Sequence, residues 1–72
     1  MIEFILYDGS QLDTKIMLMW EEEDMWCRLN YEDFVRSLDP KIVNATVNGD
    51  YESITITFES EEYKTWFIMR WS

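Results

Sequence analysis

Residues 42–58 read IVNATVNGDYESITITF, and this stretch predicts an antiparallel β-hairpin. In its first half, apolar residues at positions 43, 45 and 47 alternate with polar ones, and in its second half Ile54, Ile56 and Phe58 alternate with Ser and Thr. Such alternation is typical of strands that have one face in a core and the other in water. Asn48-Gly49 lies between the halves and favours a type I′ turn, in which both central residues have positive φ.

Four more segments have the pattern of strands. Residues 2–7, 14–20 and 63–71 are rich in apolar and β-forming residues. Residues 25–29 alternate with a period of two, which predicts Cys27 to be a small buried hydrophobic residue. Residues 14–29 are either one long bent strand or a hairpin with the acidic residues 21–24 at its tip. The hairpin is slightly favoured, because four adjacent acids repel one another and prefer a solvated turn.

One helix is predicted, over residues 31–38. Asn30 has the character of an N-cap, and Asp33 follows three residues later as in a capping box. The apolar residues recur with the spacing of a helix that packs one face down, at Tyr31, Phe34, Val35 and Leu38. Asp39-Pro40 ends the helix, because the residue before a proline is disfavoured in the α region.

The fold class predicted from these elements is α+β, in a single domain of residues 1–72. The element order is β-β-(β)-α-β-β-β, which gives a five- or six-stranded antiparallel sheet with one short helix on one face. A single helix covers one face of such a sheet, so the other face is expected to be polar or occupied.

Composition excludes several classes of function. The 72 residues include six Lys+Arg, fifteen Asp+Glu, no His and one Cys, with a net charge of −9. Without His there is no Ser-His-Asp triad, no Cys-His pair and no His-ligated metal site. One Cys forms no internal disulfide, and the acidic balance argues against direct binding of nucleic acid, which needs Lys and Arg. We therefore expect no enzyme activity, no metal and no cofactor.

The location expected from the sequence is the cytoplasm. No stretch approaches the roughly 20 apolar residues of a membrane span, and Met1-Ile2-Glu3-Phe4 lacks the features of a signal peptide. The free Cys27 fits a reducing compartment.

Two clusters of acids carry the functional prediction. They comprise Glu21, Glu22, Glu23 and Asp24 in one block and Glu59, Glu61 and Glu62 in the other. A net charge of −9 exceeds the magnitude of about 2–8 that solubility requires. The clusters are interpreted either as a solvated acidic surface or as a surface that mimics nucleic acid and meets a basic partner.

A resemblance to a known family appears at residues 52–71. ESITITF at 52–58, an acidic turn and EYKTWFIM at 62–69 resemble the end of the phage-type uracil-DNA glycosylase inhibitors. The resemblance implies a protein that copies the charge and shape of DNA and blocks an enzyme's DNA-binding groove. It implies that Asp24, Glu32 and Asp33 face the enzyme. The implied apolar pocket has as walls Phe34, Ile54, Ile56 and Phe67.

Three functional hypotheses follow. The first is a small acidic inhibitor that occupies the nucleic-acid site of a host enzyme, such as a glycosylase, a restriction enzyme or a CRISPR effector. The second is an immunity protein that neutralises a basic toxin, often a nuclease. The third is a structural or dimerising module that uses a spare sheet face. The expected partner in the first case is a basic, nucleic-acid-handling protein, and the chain itself is a monomer or a homodimer.

Overall fold

A computed structural model describes all 72 residues as three helices packed on a three-stranded sheet. The elements are β1 (Ile2–Tyr7), α1 (Gln11–Glu22), a single 3-10 turn (Met25–Cys27), α2 (Tyr31–Ser37), β2 (Ile42–Asn48), β3 (Ser53–Phe58) and α3 (Glu61–Trp71). The strand order is β1-β3-β2, and both neighbouring pairs are antiparallel. The predicted α+β class is confirmed, and the predicted five- or six-stranded sheet is wrong.

The hairpin predicted over residues 42–58 is confirmed as β2 and β3. Asn48 pairs with Ser53, so the connecting loop contains the four residues 49–52. Positive φ values occur at Gly49 (60°) and Tyr51 (66°), so the predicted type I′ turn centred on Asn48-Gly49 is wrong. A bulge between Ile42 and Asn44 shifts the register of β2.

The core lies between one face of the sheet and the helices. Leu6, Ala45 and the apolar side of β3 face inward, opposite side chains from all three helices. The buried apolar residues are Leu6, Ile16, Tyr31, Phe34, Val35, Ala45, Ile54, Ile56, Phe58 and Phe67. The opposite face of the sheet carries mostly Thr, Ser and Asn, as the alternation in the hairpin predicts.

The segment 14–20 lies inside α1, so the strand predicted there is wrong. The side chain of Ser10 accepts a hydrogen bond from the Asp13 N–H and begins the helix. Burial then recurs at helical spacing, with Leu12, Ile16 and Trp20 turned toward the core. The N-cap at Ser10 marks where α1 begins, and the segment then packs one side on the core despite its β-like composition.

The strand predicted at residues 25–29 is also wrong. Asp24 adopts the left-handed conformation (φ 54°), and residues 25–27 form the single 3-10 turn. Cys27 is exposed rather than buried. The period-two alternation of this segment does not correspond to a sheet face, because no neighbouring strand pairs with it.

The strand predicted at residues 63–71 is wrong as well, since these residues belong to α3. Tyr63, Phe67 and Trp71, spaced four apart, pack on or within the core. The rings of Phe58 and Phe67 lie 5.4 Å apart in a tilted arrangement. A three-stranded sheet cannot close a core alone, and α3 buries its aromatic face where the sequence pattern had placed another strand.

The helix predicted at 31–38 is confirmed as α2, which ends at Ser37. Asn30 Oδ1 accepts a hydrogen bond from the Asp33 N–H at 2.8 Å, as the N-cap prediction requires. Tyr31, Phe34 and Val35 are its buried face.

Candidate functional site

The α1 acidic end consists of Glu21, Glu22, Glu23 and Asp24, and all four side chains are exposed. Glu21 and Glu22 are the last residues of α1, and Glu23 is its C-cap. The backbone amides of this segment are hydrogen-bonded within it. The N–H of Glu23 donates to Met19 O and the N–H of Asp24 donates to Glu21 O, both at 3.1 Å. Four carboxylates thus emerge at one end of one helix.

No ion pair compensates the charge of the α1 acidic end. The three ion pairs of the structure use Arg36 and Lys64, and none involves residues 21–24. No basic residue lies in the last turn of α1. The C-terminus of a helix also carries the negative end of the macrodipole, about half an elementary charge. The carboxylates therefore add to a negative potential that is already present.

Two tryptophans lie beside these carboxylates. Trp20, Glu21 and Trp26 line a shallow depression of about 390 Å³. Trp20 is held in place, because its Nε1 donates to Leu29 O at 2.9 Å and its ring lies 5.4 Å from that of Tyr31. Trp26 is 57% exposed. The depression therefore combines a hydrogen-bonded indole at Trp20, an exposed indole at Trp26 and the carboxylate of Glu21.

The other predicted partner-binding acids are placed differently. Glu32 and Asp33 both pair with Arg36, at 2.8 and 2.6 Å. Glu32 Oε2 also accepts the Val47 N–H at 2.7 Å, so this carboxylate ties α2 to the edge of β2. These two acids are therefore partly neutralised by α2's own arginine.

Glu59, Glu61 and Glu62 are exposed around the start of α3. Glu61 pairs with Lys64 at 3.4 Å. The first turn of α1 and the last turn of α3 line one groove, and the two acidic clusters lie at the opposite ends of these helices. No hydrogen bond or ion pair joins them.

The apolar pocket that the resemblance implied is filled by the protein's own core. Phe34, Ile54, Ile56 and Phe67 are each at most 2% exposed. Ile54 borders a small cavity of about 20 Å³, which has room for about one water molecule. These four residues are therefore interior packing rather than walls of an open groove.

A buried polar pair, Asp13 and Tyr31, was not predicted. Asp13 is 4% exposed, and it accepts hydrogen bonds from the Tyr31 hydroxyl at 2.6 Å and the Gly9 N–H at 3.1 Å. Burial, followed by the hydrogen bond and the charge of Asp13, raises the pKa of Tyr31 far above its ordinary value. The Tyr31 phenol therefore stays protonated near neutral pH and donates its hydrogen bond to Asp13. The spacing Ser10-x-x-Asp13, which matches Asn30-x-x-Asp33, indicates the start of α1 but not the burial of Asp13 against Tyr31.

The structure offers no grouping of three or more Asp, Glu or Cys side chains that could hold a metal ion. None of its helices combines the length and apolar character needed to cross a membrane. Neither protein-family models, nor curated proteins, nor solved structures match this chain.

Proposed function

We propose that this protein binds a basic, nucleic-acid-handling protein through the α1 acidic end and covers the surface that the partner uses for nucleic acid. The observation that carries the proposal is the set of four uncompensated, exposed carboxylates at the negative end of a helix dipole, beside the exposed Trp26. The charge attracts the partner, and the indole supplies the apolar contact.

The density of charge supports mimicry of a nucleic acid. Four carboxylates follow one another at residues 21–24, in the last turn of α1 and the turn that follows it. Duplex DNA carries one negative charge per roughly 1.7 Å. A cationic groove shaped for phosphates therefore meets a dense group of negative charges in the α1 acidic end.

Trp26 supplies what charge alone does not. Exposed ion pairs contribute about 0–1 kcal/mol each, because water and salt screen them. A buried aromatic anchor at the centre of an interface contributes more, and surrounding contacts then exclude water from it. The acids thus determine attraction and association rate, and the depression at Trp20 and Trp26 determines how long the complex persists.

The test uses bacterial proteins retained on heparin, which are enriched in nucleic-acid binders. Tagged wild-type protein is compared with Glu21→Lys/Glu22→Lys/Glu23→Lys and with the control Glu3→Lys/Asp50→Lys/Glu52→Lys. The control replaces three exposed carboxylates elsewhere and changes the net charge equally. We expect the wild type and the control to capture the same basic protein, and the α1 variant to lose at least a hundredfold in affinity.

Duplex DNA and salt complete the experiment. The captured protein should be released by competing duplex DNA and by raising the salt from about 0.05 to 0.5 M, because phosphate-like contacts are lost steeply with salt. Its own reaction on nucleic acid should be inhibited by the wild-type protein. Equal loss of affinity in both triple variants would indicate a solvated acidic surface without a specific site and would contradict the proposal.

The variant Trp26→Ala separates the contribution of the indole to binding from that of the carboxylates. We expect it to weaken the complex at least tenfold, with little change in the salt dependence. An unchanged affinity would show that the Trp26 indole is not part of the interface.

A further inference from the structure

The two edges of the sheet differ in how they are protected. At the β2 edge, the Glu32 carboxylate accepts the Val47 N–H, and a bulge interrupts the register between Ile42 and Asn44. At the β1 edge, no side chain bonds to the backbone of residues 2–7. Bulges and side chains that occupy edge groups prevent strand addition, and an unprotected edge invites it.

An apolar groove follows the β1 edge. It has a volume of about 360 Å³, and its walls include the four consecutive residues 4–7 together with Leu12, Ile68 and Trp71. Because successive side chains of a strand point to opposite faces, a groove lined by four in a row runs along the strand's edge. Trp71 Nε1 in this wall is buried without a hydrogen-bond acceptor.

The charge at this edge differs from that of the rest of the chain. All ten residues that line the groove have uncharged side chains, although 29% of the sequence is charged. Ile5 and Tyr7 are 45% and 62% exposed on β1. Glu3 is the one charged residue of the strand.

We propose that β1 pairs antiparallel with β1 of a second copy, which joins the two sheets into one of six strands. With the twofold axis near Ile5, Glu3 lies opposite the partner's Tyr7, and the two Glu3 side chains are about 14 Å apart along the strands. That separation exceeds the Debye length of about 10 Å at 0.1 M salt. Two copies that each carry −9 therefore meet along a line where their carboxylates do not oppose one another.

The symmetry makes the assembly closed. Pairing of β1 with β1 uses the same surface twice, and the two outer edges of the joined sheet are then the protected β2 edges. An isologous contact of this kind stops at the dimer, whereas an unprotected outer edge would continue into a fibre.

The surface area buried in the contact determines how stable the dimer is expected to be. A stable interface removes about 800 Å² from each partner, which is roughly a sixth of the 4734 Å² of this protein. A strand of six residues is about 20 Å long, so backbone pairing alone covers too little. The apolar groove must therefore be filled as well, by the partner's Ile5, Tyr7 and their neighbours. We expect a reversible dimer whose population changes between about 1 µM and 1 mM protein.

Sedimentation equilibrium tests the proposal with two matched variants. Ile5 and Val43 are 45% and 46% exposed on the two edge strands, so Ile5→Lys and Val43→Lys change charge and exposed surface alike. We expect Ile5→Lys to raise the dissociation constant at least tenfold and Val43→Lys to change it less than threefold. A reductant is present throughout, because Cys27 is exposed and could cross-link two copies.

Salt distinguishes this contact from binding through the α1 acidic end. Raising the salt from 0.1 to 0.5 M should strengthen the dimer, because it screens the repulsion of like-charged copies, whereas it should weaken the complex with a basic partner. Hydrogen exchange supplies a readout on the wild type: amides of residues 2–7 should gain protection with concentration, and those of β2 should not. A wild type that stays monomeric at 1 mM in 0.5 M salt, equal effects of the two variants, or growth beyond the dimer would overturn the proposal.

Discussion

The two ends of α1 carry carboxylates in opposite surroundings. At the N-terminal end, Asp13 is buried and accepts hydrogen bonds from the Gly9 N–H and the Tyr31 hydroxyl. At the C-terminal end, the four carboxylates of the α1 acidic end are exposed and have no cationic partner. One acid near the start of α1 is therefore hydrogen-bonded in the interior, and the four carboxylates at and just after its end make no hydrogen bond or ion pair.

The two ends of α1 differ in whether their acids stabilise the fold or are available for binding. A negative charge near the N-terminus of a helix is stabilised by the macrodipole, and a negative charge at the C-terminus is destabilised by it. Asp13 thus contributes to the stability of the fold, and the α1 acidic end reduces it. Residues that lower stability without packing or bonding in the interior are typical of functional surfaces, which agrees with the proposal that this end meets a basic partner.

The largest expected effect is at the N-terminal end. Asp13→Ala removes the carboxylate that accepts from the Gly9 N–H and the buried Tyr31 hydroxyl, and it leaves that hydroxyl only the backbone carbonyl of residue 13 at 3.5 Å. A buried group left without a good partner costs about 1–3 kcal/mol. We expect the free energy of unfolding to fall by about 3 kcal/mol, measured by urea unfolding with tryptophan fluorescence. The control Asp50→Ala, in the exposed hairpin loop, should change it by less than about 0.5 kcal/mol. An equal loss of stability in Asp13→Ala and Asp50→Ala would show that the hydrogen bonds of Asp13 do not stabilise the fold.

The second prediction uses the pH dependence of Tyr31. Burial and Asp13 raise the folded-state pKa of Tyr31, while the unfolded side chain titrates near pH 10. Below pH 10 the phenol is protonated in both states, so its contribution to stability is complete. Above pH 10 only the unfolded state releases the proton, so the free energy of unfolding falls by about 1.4 kcal/mol per pH unit.

The variant Tyr31→Phe has no phenolic proton to release, so it lacks this pH dependence. The difference in the free energy of unfolding between wild type and Tyr31→Phe should therefore be constant from pH 7 to 9 and should decrease from pH 10 upward. The three other tyrosines, Tyr7, Tyr51 and Tyr63, are present in both proteins, so their contributions to the free energy of unfolding cancel in the difference. Parallel pH profiles would show that the phenol is not held as the structure indicates.

The smallest expected effect compares acids at two helix termini. Glu21→Gln/Glu22→Gln removes charge from the last turn of α1, and Glu61→Gln/Glu62→Gln removes it from the first turn of α3. Because the dipole acts on them with opposite sign, the first pair should stabilise the protein and the second should destabilise it, each by about 0.5–1 kcal/mol at low salt. Thermal unfolding in 20 mM and 500 mM salt measures both. The same sign for both pairs would show that overall net charge, rather than position on the helix, governs stability.

The hairpin and α2 could be predicted because their signals are local. Ile54, Ile56 and Phe58 alternate cleanly with threonines and serine, and a half-buried strand has no competing interpretation. Asn30 with Asp33 predicts the beginning of α2, and the structure shows the corresponding hydrogen bond. In both cases the residues that determine the element lie within it.

Helices α1 and α3 could not be recognised from composition alone. Their segments contain Ile, Met, Trp, Tyr and Phe on several sides, which is typical of β-strands and also of helices that pack on two neighbours. Ser10-x-x-Asp13 marks the start of α1 with the same spacing that was used for α2. For α3, Ser60 makes no side-chain cap bond, so the four-residue spacing of Tyr63, Phe67 and Trp71 is the remaining signal.

Of the candidate site, the sequence identified the acids of the α1 acidic end but not their arrangement. The resemblance also implied Glu32 and Asp33, and the structure pairs both with Arg36. Trp26 was one of four tryptophans with no distinguishing pattern. Its exposure follows from the left-handed Asp24 and the single 3-10 turn, neither of which has a signature in the residues.

The sequence by itself determined the acidic surface, the absence of histidine chemistry, the central hairpin and α2, because charge, residue type and short-range periodicity are properties of neighbouring residues. The tertiary structure decided that residues 14–20 and 63–71 are helices, that Asp13 is buried against Tyr31, and which sheet edge stays open. Those outcomes depend on how a three-stranded sheet covers its apolar face. That requirement is satisfied by contacts between residues far apart in the chain, which local patterns do not contain.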